Sequence, residues 1–354
     1  MNNIYLQLVE ELNQDSNLVL ATVTGTQGST PQKPGSTAIF SGKGLVAGTI
    51  GGGVVEGRVQ KAAVEAIKSG KSSHLTFNLF NDISNTEEAI CGGEITVLLD
   101  ANPGNSAPVF NQIKDSMEKR IPGVLITMVT EDDKSSVLIN RYWMSALTVP
   151  KIQKEFIEEL SPIIKEQLEK VNKYDFRKIV LTLPDEEPSS LFLLEPVYPQ
   201  SKLIIAGAGH IGRALARLGS MLDFEVTVID DRPEYANRDN IPDADHLIVK
   251  DIGLAMKEID KDRDTYVVIV TRGHKDDAEA LKPCIGTSLA YTGMIGSRKK
   301  IAAMRENFLE KGFATKKQWE MIYAPVGIEI GSQTVEEIAV SIAAQLIKVR
   351  NGNR

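Results

Sequence analysis

Cysteine is almost absent from this chain of 354 residues, which contains only Cys91 and Cys284. Neither belongs to a Cys-x-x-Cys or Cys-x-x-x-Cys pattern. Two cysteines cannot supply the four ligands of a structural zinc site or of a cysteine-held iron–sulfur cluster, and they are too few for a disulfide scaffold. We therefore expect reduced thiols, without a disulfide scaffold, a structural zinc site or a cysteine-held iron–sulfur cluster.

An excess of positive charge and a long apolar run are also missing. Lys and Arg number 40 against 47 Asp and Glu, which gives a formal net charge of −7, and no strongly basic stripe stands out. Because binding to nucleic acid depends on clustered positive charge, we expect no nucleic-acid partner. No stretch approaches the roughly 18 apolar residues of a membrane span, and the N-terminus lacks the basic and apolar regions of a signal peptide. The sequence predicts a cytoplasmic protein without a membrane segment.

The length and composition that remain are typical of a globular protein with more than one domain. The chain is 42% hydrophobic and 25% charged, and 354 residues exceed what one small core accommodates. Differences in pattern divide it into three segments. We predict an α+β domain at residues 1–105, an α+β middle segment with a linker at 106–199, and a Rossmann-like domain at 200–354.

The Rossmann-like prediction depends on a strand, a glycine-rich turn and a helix in direct succession. A short apolar strand ends at Ala206, and Gly207, Gly209 and Gly212 then form a Gly-x-Gly-x-x-Gly motif ahead of an amphipathic helix. Asp230 follows a second strand, 23 residues after the first glycine. In this context the first glycine makes a tight turn, the second admits a phosphate, and the third packs helix against strand.

Further strands at residues 246–249, 265–270 and 289–296 alternate with helical stretches and predict a doubly wound parallel sheet. In such a sheet Asp230 is placed to accept a hydrogen bond from a ribose hydroxyl, and His210 begins the helix beside the glycine loop. The alternative is that the glycine loop only packs the first helix. Nucleotide binding by this half is therefore one of two hypotheses.

The N-terminal half carries a different glycine motif, GTIGGGVVEG at residues 48–57. Three glycines in a row, Gly51, Gly52 and Gly53, precede a predicted helix and expose successive backbone N–H groups. With the helix dipole behind them, such groups form an anion site that needs no basic patch. A tight turn is the alternative. Glu56, in the first helical turn, is either a ligand-contacting group or a partner of the dipole.

Two neighbouring segments add candidate ligand contacts. The loop GSTPQKPGS at residues 28–36 is stiffened by two prolines and carries polar groups, among them Ser29 and Lys33. Cys91, in AICGGE, is followed by two glycines and is a candidate nucleophile or soft-metal ligand, although free cysteine is also a common core residue. Cys284 ends a helix and is interpreted as a core residue.

Two segments follow strands of the C-terminal sheet, where ligands of such sheets bind. In TRGHKDD, residues 271–277, we name Arg272, His274 and Asp277 as candidates for binding or proton transfer, with a structural histidine as the alternative. In GMIGSRKK, residues 293–300, Ser297 and Arg298 are candidates for contacting an anion at a helix start. The alternative there is a helix cap with solvated charges.

Taken together these motifs, with PVGIEIGSQTVEEIAVSI near the C-terminus, resemble the XdhC/CoxI family in composition and order. Its members are accessory proteins for xanthine dehydrogenase and related molybdenum hydroxylases. The resemblance covers roughly residues 10–100 and 200–350 and omits the middle segment. Gln32 departs from the arginine that the family's loop usually carries, and Asp100 and Glu329 replace the other carboxylate.

The resemblance implies an N-terminal XdhC/CoxI domain, a C-terminal Rossmann domain, and binding of molybdenum cofactor (molybdopterin with its metal). It implies support of cofactor sulfuration and insertion into the apo-hydroxylase. It also implies self-association into a homo-oligomer and contacts with a cysteine desulfurase and with the client enzyme. The glycines at 51–53 would then hold the cofactor's terminal phosphate, and Cys91 would lie near its soft metal.

The competing hypothesis is an NAD(P)-dependent oxidoreductase, suggested by the glycine motif and Asp230. It leaves the N-terminal glycines and Cys91 unexplained, and no Tyr-x-x-x-Lys or comparable hydride-transfer set is evident. A xanthine dehydrogenase itself is excluded, because the chain is too short and lacks the cysteines for iron–sulfur clusters. We therefore favour a cofactor chaperone without turnover of its own.

Overall fold

The computed structural model describes residues 3–14, 17–79, 92–131, 137–169, 175–182 and 189–352. The chain forms two compact units, Asn2–Pro199 and Gln200–Arg354. Each unit has its own sheets and its own hydrophobic clusters. None of the described helices combines the length and apolar character needed to cross a membrane.

The first unit contains two antiparallel sheets. The five-stranded sheet consists of β1 (Leu18–Gly28), β2 (Thr37–Ser41), β3 (Gly44–Gly48), β4 (Ser73–Asn78) and β5 (Gly93–Asp100). Its order is β3-β2-β1-β5-β4. The four-stranded sheet consists of β6 (Gly123–Glu131), β7 (Val137–Ser145), β8 (Arg177–Leu181) and β9 (Ser190–Val197), in the order β7-β6-β9-β8.

Four helices pack on these sheets: α1 (Ile4–Leu12), α2 (Gly53–Ser69), α3 (Ala107–Glu118) and α4 (Lys154–Glu169). Helix α2 buries Val55 and Val59 against the first sheet, as their helical spacing predicts, and ends at Gly70 in the left-handed conformation. One cluster joins Leu8 of α1 with Phe110 of α3 and Trp143 of β7. Segments before and after residue 105 therefore share a hydrophobic core.

The second unit is a five-stranded parallel sheet of β10 (Ser201–Ala206), β11 (Phe224–Asp230), β12 (His246–Val249), β13 (Thr265–Ile269) and β14 (Tyr291–Met294). Its helices are α5 (His210–Met221), α6 (Ile252–Glu258), α7 (His274–Leu281), α8 (Arg298–Glu310), α9 (Lys316–Trp319) and α10 (Val335–Arg350). Separate hydrophobic clusters cover the two faces of the sheet. The predicted doubly wound fold is confirmed.

The strand order β12-β11-β10-β13-β14 reverses direction between β10 and β13. Strands β11 and β12 follow on one side of β10, whereas β13 and β14 follow on the other. Helices after these strands cover opposite faces, so a crevice opens at the carboxyl ends of β10 and β13. The candidate residues of the C-terminal half lie at the carboxyl end of a strand of this sheet or in the segment that follows it.

Candidate functional site

The first candidate site is the loop at residues 49–53, which leads from β3 into α2. Gly51, Gly52 and Gly53 have φ angles of 125°, 69° and 55°. Gly52, the residue before the helix, combines its φ with a ψ of −178°, a region open almost only to glycine. A Cβ atom on Gly52 or Gly53 would meet nothing within 4 Å. The backbone here is open to a ligand, and the first N–H groups of α2 have no acceptor within the helix.

Glu56 supports this loop from the first turn of α2. Its carboxylate accepts hydrogen bonds from Thr49 Oγ1 (3.1 Å) and from the Ile50 N–H (3.4 Å). Thr49 Oγ1 in turn accepts from the Gly51 N–H at 3.1 Å. The structure thus engages Glu56, which the sequence suggests as a ligand-contacting group or a partner of the helix dipole, in holding the loop that precedes the helix.

The loop containing Ser29 and Lys33 lies directly against these glycines. A Cβ on Gly51 would come within 2.6 Å of Pro31 Cγ, so only glycine permits the contact. Ser29 and Lys33 are exposed. Gln32, in the position where the family usually has arginine, accepts a hydrogen bond from Ser36 Oγ at 2.9 Å and braces the loop. The two N-terminal motifs therefore form one surface.

Cys91 lies outside the described residues, so its prediction as nucleophile or metal ligand stays a prediction. Cys284 is described and is buried, and burial raises the pKa of its thiol to about 12. Such a thiol is protonated at neutral pH and unreactive. Among the described residues, no three His, Cys, Asp or Glu side chains converge as metal ligands.

Polar side chains buried in the first unit were not found by sequence reasoning. Asp100 pairs with Arg141, and both are buried. Tyr5 donates a hydrogen bond to Glu195 at 2.5 Å, and burial raises the pKa of Glu195 to about 7 although Tyr5 and Arg141 lower it. These partners are up to 190 residues apart in the chain, so no local pattern signals them.

A second polar cluster of this unit involves His74, on β4. Its Nε2 lies 2.7 Å from Thr24 Oγ1 and its Nδ1 lies 3.5 Å from Glu131 Oε1. Burial and the charge of Lys178 lower the pKa of His74, while Glu131 raises it. Thr24 is only 2% exposed, which keeps its hydroxyl from a substrate. We interpret this cluster as structural.

The second candidate site is the glycine loop of the Rossmann unit. Gly207 has a φ of 117°, and a Cβ there would come within 2.5 Å of the Val270 carbonyl oxygen. A Cβ on Gly212 would overlap the Gly207 carbonyl oxygen. A Cβ on Gly209 would meet nothing within 4 Å, and exposed His210 begins α5 beside it. The arrangement matches the tight turn predicted for Gly207 and the packing role predicted for Gly212, and it leaves open space at Gly209, where phosphate binding stays a prediction.

Asp230, the predicted ribose acceptor, is 1% exposed and already has partners. It accepts from the Ala208 N–H at 2.8 Å and from the Arg232 N–H at 3.1 Å. The Arg232 guanidinium donates from Nε at 2.8 Å and from Nη2 at 3.0 Å. Burial raises the pKa of Asp230, but these hydrogen bonds outweigh it and the net pKa is lowered.

Arg272, which follows β13, is exposed and donates from Nη2 to Asp231 Oδ2 at 3.0 Å. The structure therefore brings the segment after β13 to the segment after β11. His274 begins α7 and is exposed. Neither side chain is committed to the core, so both remain available to a ligand in the crevice.

Ser297 caps α8 by accepting from the Lys300 N–H at 3.2 Å, which is the alternative stated for it, and Arg298 begins that helix, exposed. Asp277 is fully buried and forms an ion pair with Lys300. Thr271 Oγ1 donates to the same carboxylate at 2.6 Å. This pair ties the segment after β13 to the segment after β14, a link that sequence reasoning did not find.

Comparisons with known proteins agree with the order of the motifs. A model of the XdhC and CoxI family matches residues 12–78, and a model of the XdhC Rossmann domain matches residues 203–346. A protein of Bacillus subtilis (strain 168), named as part of a probable xanthine dehydrogenase, is 25% identical over 355 residues. That match covers 99% of this chain and 98% of the other protein.

Two further relatives differ in how much of this chain they match. The uncharacterized Escherichia coli (strain K12) protein YqeB is 34% identical over 151 residues, but the match spans only 27% of its length and 42% of this chain. A crystal structure described as a xanthine dehydrogenase from Bacillus halodurans is 25% identical with a TM-score of 0.80. That likeness covers 99% of this chain and 96% of the other.

Proposed function

Because the chain belongs to the XdhC and CoxI family, as its motifs predicted, we propose that it serves the maturation of a xanthine dehydrogenase-type molybdenum hydroxylase. It binds molybdenum cofactor, supports its sulfuration and inserts it into the apoenzyme. The Bacillus subtilis and Bacillus halodurans relatives, which match almost the whole chain, both carry xanthine dehydrogenase in their names. Those names support the choice of client.

The observation that carries the proposal is the open backbone at Gly52 and Gly53, within the glycine loop at residues 51–53. Molybdopterin carries a terminal phosphate, and a phosphate needs convergent donors in a chain whose net charge is −7. The left-handed backbone of Gly52 and Gly53, the space around them and the helix start of α2 supply such donors. The phosphate end of the cofactor therefore fits residues that are present.

The metal of the cofactor requires fewer contacts from this chain than its phosphate does. Molybdopterin holds its metal through its own dithiolene, so a chaperone needs no metal-ligating cluster, and the described residues contain none. When bound, the cofactor supplies the metal centre that the client enzyme uses. Cys91 is the thiol that we propose beside that metal, where sulfur chemistry takes place, and exposed Lys33 is the cation that we propose beside the phosphate.

Sulfuration and insertion of the cofactor require partner proteins. We propose that a cysteine desulfurase supplies the sulfur and that the apo-hydroxylase receives the product, with the chain acting as a homo-oligomer. Each of these contacts is open to direct measurement by co-purification and by light scattering. The chaperone role itself is better tested through the glycine loop.

The test compares Gly52→Ala with Gly57→Ala in the full-length protein. Gly52→Ala places a side chain where φ is 69° and ψ is −178°, which distorts the loop. Gly57→Ala is the matched control, because Gly57 lies one turn further along α2, is exposed, and a Cβ there meets nothing within 4 Å. We expect Gly52→Ala to weaken molybdopterin binding about tenfold or more, the effect of losing charge-assisted hydrogen bonds.

The readouts are fluorescence titration with isolated cofactor and reconstitution of an apo-hydroxylase. Cys91→Ala should keep cofactor binding nearly unchanged but lower the yield of active, sulfurated client. If the Gly52→Ala and Gly57→Ala proteins bound the cofactor with equal affinity, the glycine loop would not be part of the cofactor-binding site. Wild-type protein without affinity for the cofactor would contradict the chaperone role altogether.

A further inference from the structure

The ribose-binding position of the Rossmann unit is occupied by a carboxylate that has no acceptor site to spare. A carboxylate offers about four lone-pair positions. On Asp230 the N–H groups of Ala208 and Arg232 and two guanidinium N–H groups of Arg232 take four hydrogen bonds between 2.8 and 3.1 Å. A ribose diol binds this carboxylate only by displacing one of these donors.

The group that faces a ligand at this position is instead the guanidinium of Arg232. Its side chain remains 21% exposed, and two of its five N–H donors serve Asp230, which leaves three for a ligand. The guanidinium carbon lies 3.8 Å from the centroid of the Tyr235 ring, and this cation–π contact holds its plane. The guanidinium is thus fixed from one edge by Asp230 and from one face by Tyr235.

Two arginines, each paired with aspartates, lie at this position. The charge of Asp230 is balanced by Arg232, and the charge of Asp231 is shared between Arg272 at 3.0 Å and Arg232 at 3.9 Å. Arg272 is 54% exposed, also pairs with Asp276 at 3.7 Å, and has further N–H donors at the same edge of the sheet. In dinucleotide-binding folds a free acid reads the ribose 2′-hydroxyl, whereas a nearby arginine accepts a 2′-phosphate.

We propose that the Rossmann unit binds an adenine dinucleotide at its glycine loop and selects a 2′-phosphorylated ribose, with Arg232 as the specificity-determining residue. The pyrophosphate lies against the open backbone at Gly209 and the start of α5. The 2′-phosphate pairs with the outward N–H groups of Arg232. This proposal rests on residues of the Rossmann unit alone and does not depend on the molybdenum cofactor proposal.

The experiment is isothermal titration of the full-length protein with NADP⁺ and with NAD⁺, which differ only in the 2′-phosphate. We expect NADP⁺ to bind about tenfold or more tightly than NAD⁺, since a charged hydrogen-bonding pair carries the difference. Arg232→Gln should bring the two affinities to within about threefold of each other by removing that pair. Arg263→Gln is the matched control, because Arg263 is exposed and precedes β13 at the opposite edge of the sheet.

A second variant separates lost binding from lost folding. Arg232→Lys keeps a positive charge beside Asp230 and should retain part of the preference for NADP⁺, and thermal unfolding checks that each variant is folded. Equal or tighter binding of NAD⁺ by the wild-type protein would overturn the proposal, since it would mean that Asp230 reads the ribose. Absence of binding of either nucleotide up to about 1 mM would overturn it as well.

Discussion

Two glycine-rich loops precede helices in this chain, and their glycines are required for different reasons. In the first unit, Gly52 is required by its backbone angles, while the space that a side chain would occupy is empty. In the Rossmann unit, Gly212 has helical backbone angles, but a side chain would overlap the Gly207 carbonyl oxygen. The first loop therefore needs glycine for conformation and leaves room for a ligand, whereas the second needs it mainly for packing.

The difference shows what each sequence pattern reports. A run of consecutive glycines indicates several residues in left-handed conformation, and such a run exposes backbone N–H groups. A spaced Gly-x-Gly-x-x-Gly indicates close approach of a helix to a strand, and only its middle glycine, Gly209, faces open space. The number of glycines alone does not distinguish a ligand site from a packing site. The space that an added Cβ atom would meet at each glycine does.

The largest expected effect comes from Gly212→Ala. Alanine is favoured over glycine in a helix by about 1 kcal/mol, but the overlap with Gly207 is severe, and we expect a net loss of about 3 kcal/mol or more in the free energy of unfolding. Gly209→Ala, with an ordinary φ of −69° and open space, should change it by less than about 1 kcal/mol.

Tryptophan fluorescence during urea unfolding measures these changes unit by unit. The chain has two tryptophans, and both are buried, Trp143 in the first unit and Trp319 in the second. In a Trp143→Phe background the signal reports the Rossmann unit alone. Equal stabilities for Gly212→Ala and Gly209→Ala would contradict the packing role.

An effect of intermediate size is expected in how the free energy of unfolding of the first unit depends on pH. Glu195 has a pKa of about 7, raised from 4.5 by burial, so the folded state holds its proton over a range in which the unfolded state releases it. The stability that this group contributes is complete below about pH 4.5 and is lost as the pH rises through 7. We expect the first unit to lose roughly 1–3 kcal/mol of unfolding free energy between pH 5 and pH 8 from this source.

Glu195→Gln removes the titrating proton and keeps the shape of the side chain. The first unit, followed by Trp143 fluorescence in a Trp319→Phe background, should then show a flatter dependence of stability on pH. The Rossmann unit, followed by Trp319 fluorescence when Glu195→Gln is placed in the Trp143→Phe background, serves as the control and should be unaffected. An unchanged pH profile of the first unit in Glu195→Gln would show that other groups dominate.

The smallest expected effect comes from Gly57→Ala, on the same helix as the open loop. Gly57 is helical, exposed and without neighbours at its Cβ position, so alanine should raise the free energy of unfolding by about 0.5–1 kcal/mol. Gly52→Ala, five residues earlier, should lower it. Because both glycines of the first unit are equally uncrowded, changes of opposite sign in the free energy of unfolding would isolate backbone conformation as the cause. Changes of the same sign would contradict it.

Most of the secondary structure could be predicted from the sequence, because apolar spacing and turn residues are local properties. Strand β12 occupies the predicted residues 246–249, and β13 spans 265–269 of the predicted 265–270. Other strands are shorter than predicted: β14 spans 291–294 within the predicted 289–296, where pairing with β13 ends. The family followed from the order of several motifs, each weak by itself.

The sequence by itself determined the doubly wound sheet, the helix that follows the three glycines at 51–53, and the position of both glycine loops. Only the tertiary structure decided which side chains remain for a ligand. It placed Pro31 against Gly51, surrounded Asp230 with Ala208 and Arg232, and paired Asp277 with Lys300. Periodicity and glycine content act over a few residues, whereas these partners meet through packing and strand pairing between distant segments.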